Sequence, residues 1–330
     1  MSWNVIGHEW AEKLLEGHIR RGEVRHAYLF AGAAGIGRRS LALRFAQALN
    51  CPTPLSAGQP CQKCRTCQQI ERAQHIDLSI AQSERPGATL KVEQIRELQR
   101  TLSLSPYEGA YRVALLLRFQ EANANAQNAL LKTLEEAPTK VVLLLTADSA
   151  ESLLPTIASR CEILRLRPLS AAHLQSELLK KGLENGEAHQ LAHVSGGRMG
   201  QALRLHDDPT LLEKRSVLAE DMFTLLVVSR RRRFAYAEKL AKEKEGLREA
   251  FLAWLSLWRD MMLAASGAVL PLSNPDYAGQ LTMMAGTLGL AETRKRAAEL
   301  ERALARLDSN VNPRLLAETT LLDWPRLSGG

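Results

Sequence analysis

The sequence contains no run of about 20 apolar residues, which is the length that a membrane-spanning helix needs. Its start, from Met1 to Trp10, includes His8 and Glu9 and lacks the basic, apolar and small-residue order of a secretory signal. It also lacks tandem repeats and low-complexity segments. These absences argue against membrane, secreted and repeat proteins, and we expect a globular protein of the cytoplasm.

The charge balance is basic, with a formal net charge of +7 and a pI near 9.3. Clustered Lys and Arg side chains neutralise phosphates, so this composition is compatible with contact to a polyanion. The densest run, Arg230–Arg233, lies in a helical pattern, where a solvent-exposed face is the favoured interpretation. Net charge alone therefore assigns no nucleic-acid-binding site.

A chain of 330 residues is too long for one ordinary hydrophobic core, which favours two or three domains. Between His26 and Pro168, helical patterns alternate with short apolar runs typical of strands that are covered on both faces. These runs are His26–Ala31, Arg112–Leu117 and Lys140–Thr146. The alternation predicts an α/β domain with a mostly parallel sheet over residues 1–168.

The strand signal ends after Pro168, and only helical spacing follows. Residues 169–208 read as a small helical domain with a break at Gly196 and Gly197. Residues 209–330 then predict a third, all-helical domain.

A glycine-rich segment follows the first predicted strand and opens a helix, which is the context in which a phosphate-binding loop pattern carries meaning. Glycines let backbone N–H groups turn towards phosphates, and the helix N-terminus adds its positive dipole end. The pattern also requires Lys and then Ser or Thr directly after the last glycine, where this chain has two arginines. We therefore expect a degenerate nucleotide site, whose candidate residues are Gly32, Gly35, Gly37, Arg38, Arg39 and Ser40.

A P-loop enzyme also needs acidic residues at the end of a neighbouring strand, where they hold the metal and polarise the attacking water. The strand that begins at Arg112 ends instead in Leu117 and Arg118. Because two independent catalytic elements are missing, we expect no ATP hydrolysis and no ATP cofactor for this chain. Nucleotide binding without turnover stays open.

Four of the five cysteines are close in sequence, at Cys51, Cys61, Cys64 and Cys67, with the spacing C-x9-C-x2-C-x2-C. In a reducing compartment this cluster favours a metal over disulfides. A C-x2-C step places two sulfurs about 2.3 Å from one ion, so a structural zinc module over residues 51–67 is the first interpretation. An iron–sulfur cluster remains the alternative.

With these residues identified, the chain resembles the bacterial DNA polymerase III clamp-loader family of gamma/tau and delta-prime subunits. The most specific match is Asn128–Pro138, and His26–Phe30, the cysteine module and Ser159–Cys161 follow in the family's order. The resemblance implies a RecA-like AAA+ P-loop domain, a small helical lid and a helical collar that assembles a pentamer.

Departures from the ATP-hydrolysing gamma/tau subunits favour the delta-prime branch. Besides the degenerate loop and strand end, Gly200 stands where those subunits present a lid Arg, with Arg198 two residues early. Residues Asn310–Leu315 resemble the end of a delta-prime collar. The implied role is that of a subunit that does not hydrolyse ATP and helps to load the sliding clamp onto primed DNA.

Ser159 and Arg160 have two interpretations. From the residues alone, they form a turn with a surface arginine. The family resemblance implies instead that Arg160 enters the neighbouring subunit's ATP site, where its planar cation stabilises charge on the γ-phosphate.

The partners implied by the resemblance are gamma/tau and delta subunits, the sliding clamp and primer–template DNA. Lys91, Arg96 and Arg100 are candidate DNA contacts, although a solvated helix face explains them equally well. A gamma-like ATPase and an unrelated DNA-binding scaffold are the competing functions.

Overall fold

The computed structural model describes residues 3–308 and 311–327. The chain divides into two compact units. The first comprises Met1–Leu169 with Arg198–Gln201, and the second comprises Ser170–Gly197 with Ala202–Gly330.

The first unit is an α/β structure. Its helices are α1 (Glu9–Arg21), α2 (Arg38–Asn50), α3 (Arg65–Glu71), α4 (Val92–Leu102), α5 (Ala124–Glu135) and α6 (Pro155–Ala158). Its strands are β1 (Ala27–Ala31), β2 (Leu78–Ala81), β3 (Arg112–Leu116), β4 (Val141–Ala147) and β5 (Glu162–Arg165). Among the described residues, these strands form one parallel sheet in the order β2-β3-β4-β1-β5. The predicted parallel α/β architecture is confirmed, and the three predicted runs form β1, β3 and β4.

The sheet is covered on both faces, as its near-continuous apolar strands require. Along β1, Tyr28 and Phe30 enter one core, whereas Leu29 enters the other, because successive side chains of a strand point to opposite faces. On the first face the rings of Tyr28 and Phe45 meet edge to face with centroids 4.8 Å apart. Burying each such side chain contributes roughly 1.5–3 kcal/mol to folding.

The second unit is helical. Its helices are α7 (Ala171–Lys180), α8 (Asn185–Val194), α9 (Met199–Asp207, whose first residues belong to the first unit), α10 (Thr210–Val227), α11 (Arg230–Leu240), α12 (Lys244–Ser266), α13 (Ala278–Asp308) and α14 (Pro313–Leu322). Trp254, Trp258 and Trp324 pack edge to face in its core. The helical C-terminal region is confirmed, and its separation into lid and collar domains stays a prediction. Asn310, which belongs to the segment that resembles a collar end, lies outside the described residues. None of the helices in the described residues has the length and apolar character of a membrane span.

Arg233 contradicts the solvent-exposed interpretation of the arginine run. Arg230, Arg231 and Arg232 are exposed, but Arg233 is only 2% exposed. Its guanidinium donates to the carbonyl oxygen of Leu225 in the last turn of α10 at 2.6 Å and to that of Leu321 at the end of α14 at 3.4 Å, and it also reaches the carbonyl of Pro325, just beyond α14, at 2.7 Å. The last carbonyls of a helix lack intrahelical partners and attract cations. Because the four residues of the run are identical, the sequence pattern could not show that Arg233 is buried while Arg230, Arg231 and Arg232 are exposed.

Gly289 interrupts α13 with φ 74° and ψ 169°, a conformation that is essentially restricted to glycine. We expect Gly289→Ala to lower the free energy of unfolding by about 1–3 kcal/mol. The matched control is Gly286→Ala in the same helix, because a Cβ meets open space at both positions and only the backbone conformation differs. That control should change stability by less than about 1 kcal/mol, and favourably. Urea unfolding followed by tryptophan fluorescence tests the pair, and equal effects would contradict the backbone explanation.

Candidate functional site

The glycine-rich loop joins β1 to α2 as predicted. Gly35 and Gly37 have φ values of 79° and 113°, which other residues rarely adopt, and α2 begins at Arg38 directly after Gly37. The loop therefore has the glycine conformations and the following helix N-terminus that the predicted phosphate-binding loop requires.

Residues from elsewhere in the first unit form hydrogen bonds with the carbonyl oxygens of this loop. Nε2 of the buried His8 lies 2.8 Å from the carbonyl oxygen of Ile36. The backbone N–H of Gly200 donates to the carbonyl oxygen of Gly35 at 2.9 Å, and a Cβ at Gly200 would lie 2.8 Å from that oxygen. Arg198, two residues earlier, donates to the carbonyl oxygen of Ala34 at 3.3 Å. Gly200 is thus a position of close backbone approach, where a larger residue would require the loop to shift.

The two arginines at the positions where the loop pattern calls for Lys and then Ser or Thr have different surroundings. Arg38 is 8% exposed, and its Nη1 forms an ion pair with Oδ1 of Asp148 at 2.8 Å, at the end of β4. Arg39 and Ser40 are exposed on α2. Sequence reasoning did not single out Asp148, since 110 residues separate the two partners.

A charged residue, Arg118, follows the end of β3, and its charge is paired with a nearby carboxylate. Leu117 is buried, and Arg118 adopts a left-handed backbone conformation with φ 49°. Its guanidinium pairs with Glu121 at 3.0 Å and donates to Oγ of Ser83 at 3.0 Å. The backbone N–H of Arg118 donates to Oγ1 of Thr146 at 2.8 Å. The position where a P-loop enzyme places metal-binding carboxylates therefore presents a guanidinium.

The four clustered cysteines converge on one point. Their sulfurs all lie within 4.8 Å of one another, with Cys51 Sγ 3.6 Å from Cys61 Sγ and Cys61 Sγ 4.0 Å from Cys67 Sγ. Four sulfurs about 2.3 Å from a central tetrahedral ion are about 3.8 Å apart, so the observed separations fit a single metal. Cys51 ends α2, and Cys64 caps the N-terminus of α3, which carries Cys67. The cluster therefore lies where the end of α2 meets α3.

The protonation of the sulfurs depends on their surroundings. Burial raises the pKa of the Cys51 and Cys67 thiols. At Cys61, burial also opposes ionisation, but hydrogen bonds from the backbone N–H groups of Lys63 and Cys64 outweigh it and lower the pKa to about 6. Of these three thiols, Cys61 is therefore the easiest to ionise, and a bound cation would favour the thiolate form of the sulfurs that hold it.

Arg160 lies just beyond α6, in the turn that starts at Ser159. Its Nη1 donates to the carbonyl oxygen of Thr156 at 2.9 Å, and its Nη2 forms an ion pair with Oε1 of Glu135 at 2.8 Å. The hydroxyl of Ser159 donates to the same Thr156 carbonyl at 3.3 Å. These contacts to Arg160 come from α5 and α6, whereas the clustered cysteines lie between the end of α2 and α3.

The proposed DNA-contacting residues lie on or beside α4. Lys91 is the residue directly before the first turn of α4, Arg96 and Arg100 lie along the helix, and all three are exposed. Arg100 pairs with Glu97 at 3.2 Å, one turn away on the same helix. This placement suits a solvated helix face and a nucleic-acid contact equally.

Two family models match most of the chain. Residues 7–170 match the family described as DNA polymerase III, delta subunit, and residues 209–326 match its C-terminal family. The chain belongs to the DNA polymerase III delta-subunit family. The predicted family resemblance is confirmed.

Two relatives by sequence agree with this membership. The chain is 36% identical over 220 residues to DNA polymerase III subunit delta' of Pseudomonas aeruginosa. This alignment covers 66% of each protein. It is 33% identical over 210 residues to subunit tau of Escherichia coli, covering 62% of this chain and 32% of tau. A solved gamma subunit-related protein of Thermotoga maritima is 18% identical, with a TM-score of 0.47 over 96% of this chain and 97% of that one. The sequence matches thus span just under two thirds of the delta' relative and about a third of tau.

Proposed function

We propose that this chain is a delta-prime-type subunit of a bacterial clamp loader. In this proposal its first unit is a RecA-like AAA+ domain that does not hydrolyse ATP, its four cysteines hold one structural zinc, and it works in the cytoplasm. Its partners are gamma/tau and delta subunits, the sliding clamp and primer–template DNA, and its task is to help load the clamp onto primed DNA.

One observation carries the proposal that the chain is not a motor. Arg38, the residue in the phosphate-contacting position, is buried in an ion pair with Asp148. Because the Arg38 side chain is only 8% exposed and its charge is already paired, it presents little surface to β- and γ-phosphates. The Gly200 contact on Gly35 and the guanidinium of Arg118 at the end of β3 support the same conclusion.

Arg160 has the opposite character, because it is partly exposed and lies outside the nucleotide loop of its own chain. We infer that it completes the ATP site of an adjacent gamma/tau subunit. A planar guanidinium offers several N–H donors to the γ-phosphate oxygens, whose negative charge must be stabilised in the transition state.

We expect no ATPase activity from the purified chain. The double change Arg38→Lys with Arg39→Thr should create none, because Leu117 and Arg118 still replace the strand-end carboxylates. The measurement is magnesium-dependent phosphate release by the isolated chain, with a gamma-type subunit as the positive control.

Reconstitution with gamma-type and delta-type subunits tests the role itself. We expect the chain to assemble with them and to be required for DNA-stimulated clamp loading. Magnesium-dependent turnover by the isolated chain that Arg38→Ala abolishes would identify a gamma-like ATPase instead. Failure to co-assemble with a delta-type subunit and the clamp would favour an unrelated DNA-binding scaffold.

A further inference from the structure

The ion pair between Glu135 and Arg160 leaves most of the guanidinium's donors free. An arginine side chain has five N–H donors. Nη2 forms the ion pair with Oε1 of Glu135 at 2.8 Å, and one donor on Nη1 serves the carbonyl oxygen of Thr156 at 2.9 Å. Three donors remain, and the side chain is still 36% exposed. An incoming anion can therefore bind Arg160 while Glu135 stays in place.

The two elements that hold Arg160 are fixed to each other. Glu135 is the last residue of α5, and Thr156 lies in α6. The side chain of Gln127 on α5, 7% exposed, accepts a hydrogen bond from the backbone N–H of Leu154 at the start of α6, at 2.9 Å. Ile157 of α6 and Leu130 of α5 share the same core. The contacts to Arg160 therefore come from a rigid frame.

We propose that Glu135 is a positioning residue for Arg160, an inference that rests on the proposed role of Arg160 in a neighbour's ATP site. A free arginine side chain samples many rotamers and must be ordered when it binds, which weakens the interaction. Glu135 and the Thr156 carbonyl order the guanidinium beforehand and leave its remaining donors for phosphate oxygens. Glu135 belongs to Asn128–Pro138, the segment with the most specific family match, and its contact with Arg160 gives this residue a role there.

The test uses the complete clamp loader assembled with variants of this chain. Glu135→Ala should lower the Arg160-dependent part of the kcat for DNA-stimulated ATP hydrolysis by about three- to tenfold and leave KM unchanged. Glu135→Gln keeps an oxygen acceptor at the same place and should stay within about twofold of the original chain. The Arg160-dependent part is the rate that Arg160→Ala removes.

A double variant and a matched control separate positioning from damage to the fold. Glu135→Ala in the Arg160→Ala background should cause no further loss, and additional slowing there would indicate a structural role. Glu151→Ala removes an exposed carboxylate from another surface ion pair, with Arg165 at 3.1 Å, and should leave the rate unchanged.

The outcomes distinguish this inference from the proposed function. If Arg160→Ala equals the original chain, the trans role of Arg160 fails. If Arg160→Ala is slow but Glu135→Ala is not, or Glu135→Ala is faster, the positioning role fails while the trans role stands. For a variant that does not assemble, ¹⁵N relaxation of the Arg160 guanidinium in the isolated chain is decisive, and unchanged mobility in Glu135→Ala overturns the inference.

Discussion

Replacing Arg160 with alanine is expected to slow one ATP site of the assembled clamp loader by about 10³- to 10⁵-fold, the range for arginines supplied in trans to phosphoryl transfer. The effect is this large because the guanidinium meets charge that is fully developed only in the transition state. This chain can complete only the site at its own interface, so total hydrolysis should fall partially. Clamp deposition should suffer more than total hydrolysis.

Arg160→Lys should rescue poorly, since an ammonium is a point charge and cannot reproduce the planar arrangement of donors. Arg165→Ala serves as the control, because Arg165 is a more exposed arginine on β5 with its own carboxylate partner. DNA-stimulated ATPase and clamp deposition are measured on the same assembly. Normal values of both for Arg160→Ala would return this residue to the interpretation of a surface arginine in a turn.

The strands that could be predicted from the sequence are the central ones, because burial on both faces makes their sequences continuously apolar. The strands β1, β3 and β4 lie inside the sheet with both faces covered, so they appear as continuous apolar runs. The strands β2 and β5 are edge strands of four residues with partly exposed positions. Their short, mixed sequences do not differ enough from loops to be recognised.

The side chains that sequence reasoning missed depend on contacts distant in the chain. Asp77, fully buried, accepts hydrogen bonds from the backbone N–H groups of Tyr107, Glu108 and Gly109 and pairs with Arg112 at 3.2 Å. Nothing around Asp77 in the sequence indicates those partners, which lie 30 to 35 residues away. The partners of Arg38 and Arg160 were missed for the same reason. A sequence motif predicts which helix, strand or loop a residue lies on. Contacts between side chains on different elements can be identified only once the fold is known.

The cysteine cluster, by contrast, was predicted because its spacing is local. Cys61, Cys64 and Cys67 are each three residues apart, and one turn of chain brings their sulfurs together. The fourth cysteine of the cluster, Cys51, lies at the end of α2.

Removal of zinc should release the segment that the four cysteines hold. Structural zinc contributes about 10–16 kcal/mol of apparent binding free energy in small zinc domains, far more than the hydrogen bonds that otherwise fix this segment. Those bonds include Gln47 to the Cys67 carbonyl at 2.8 Å and Trp3 to the Gly58 carbonyl at 3.0 Å. We expect one zinc per chain by elemental analysis, and chelation should accelerate amide hydrogen exchange across residues 51–71 by about 100-fold or more. Exchange in the helical second unit should not change.

The variant Cys64→Ser distinguishes loss of metal from loss of local structure. The Cys64 sulfur accepts a hydrogen bond from the Cys67 N–H at 3.4 Å as the N-cap of α3, and serine is among the best N-cap residues. Serine thus keeps the cap but removes a thiolate ligand, so any loosening of the segment comes from the metal. Cys161→Ser is the matched control, because Cys161 lies outside the cluster and should leave both zinc content and exchange unchanged. Native protein without zinc, or with iron and visible absorbance, would contradict the assignment, because a single zinc ion is colourless and fits the observed sulfur separations.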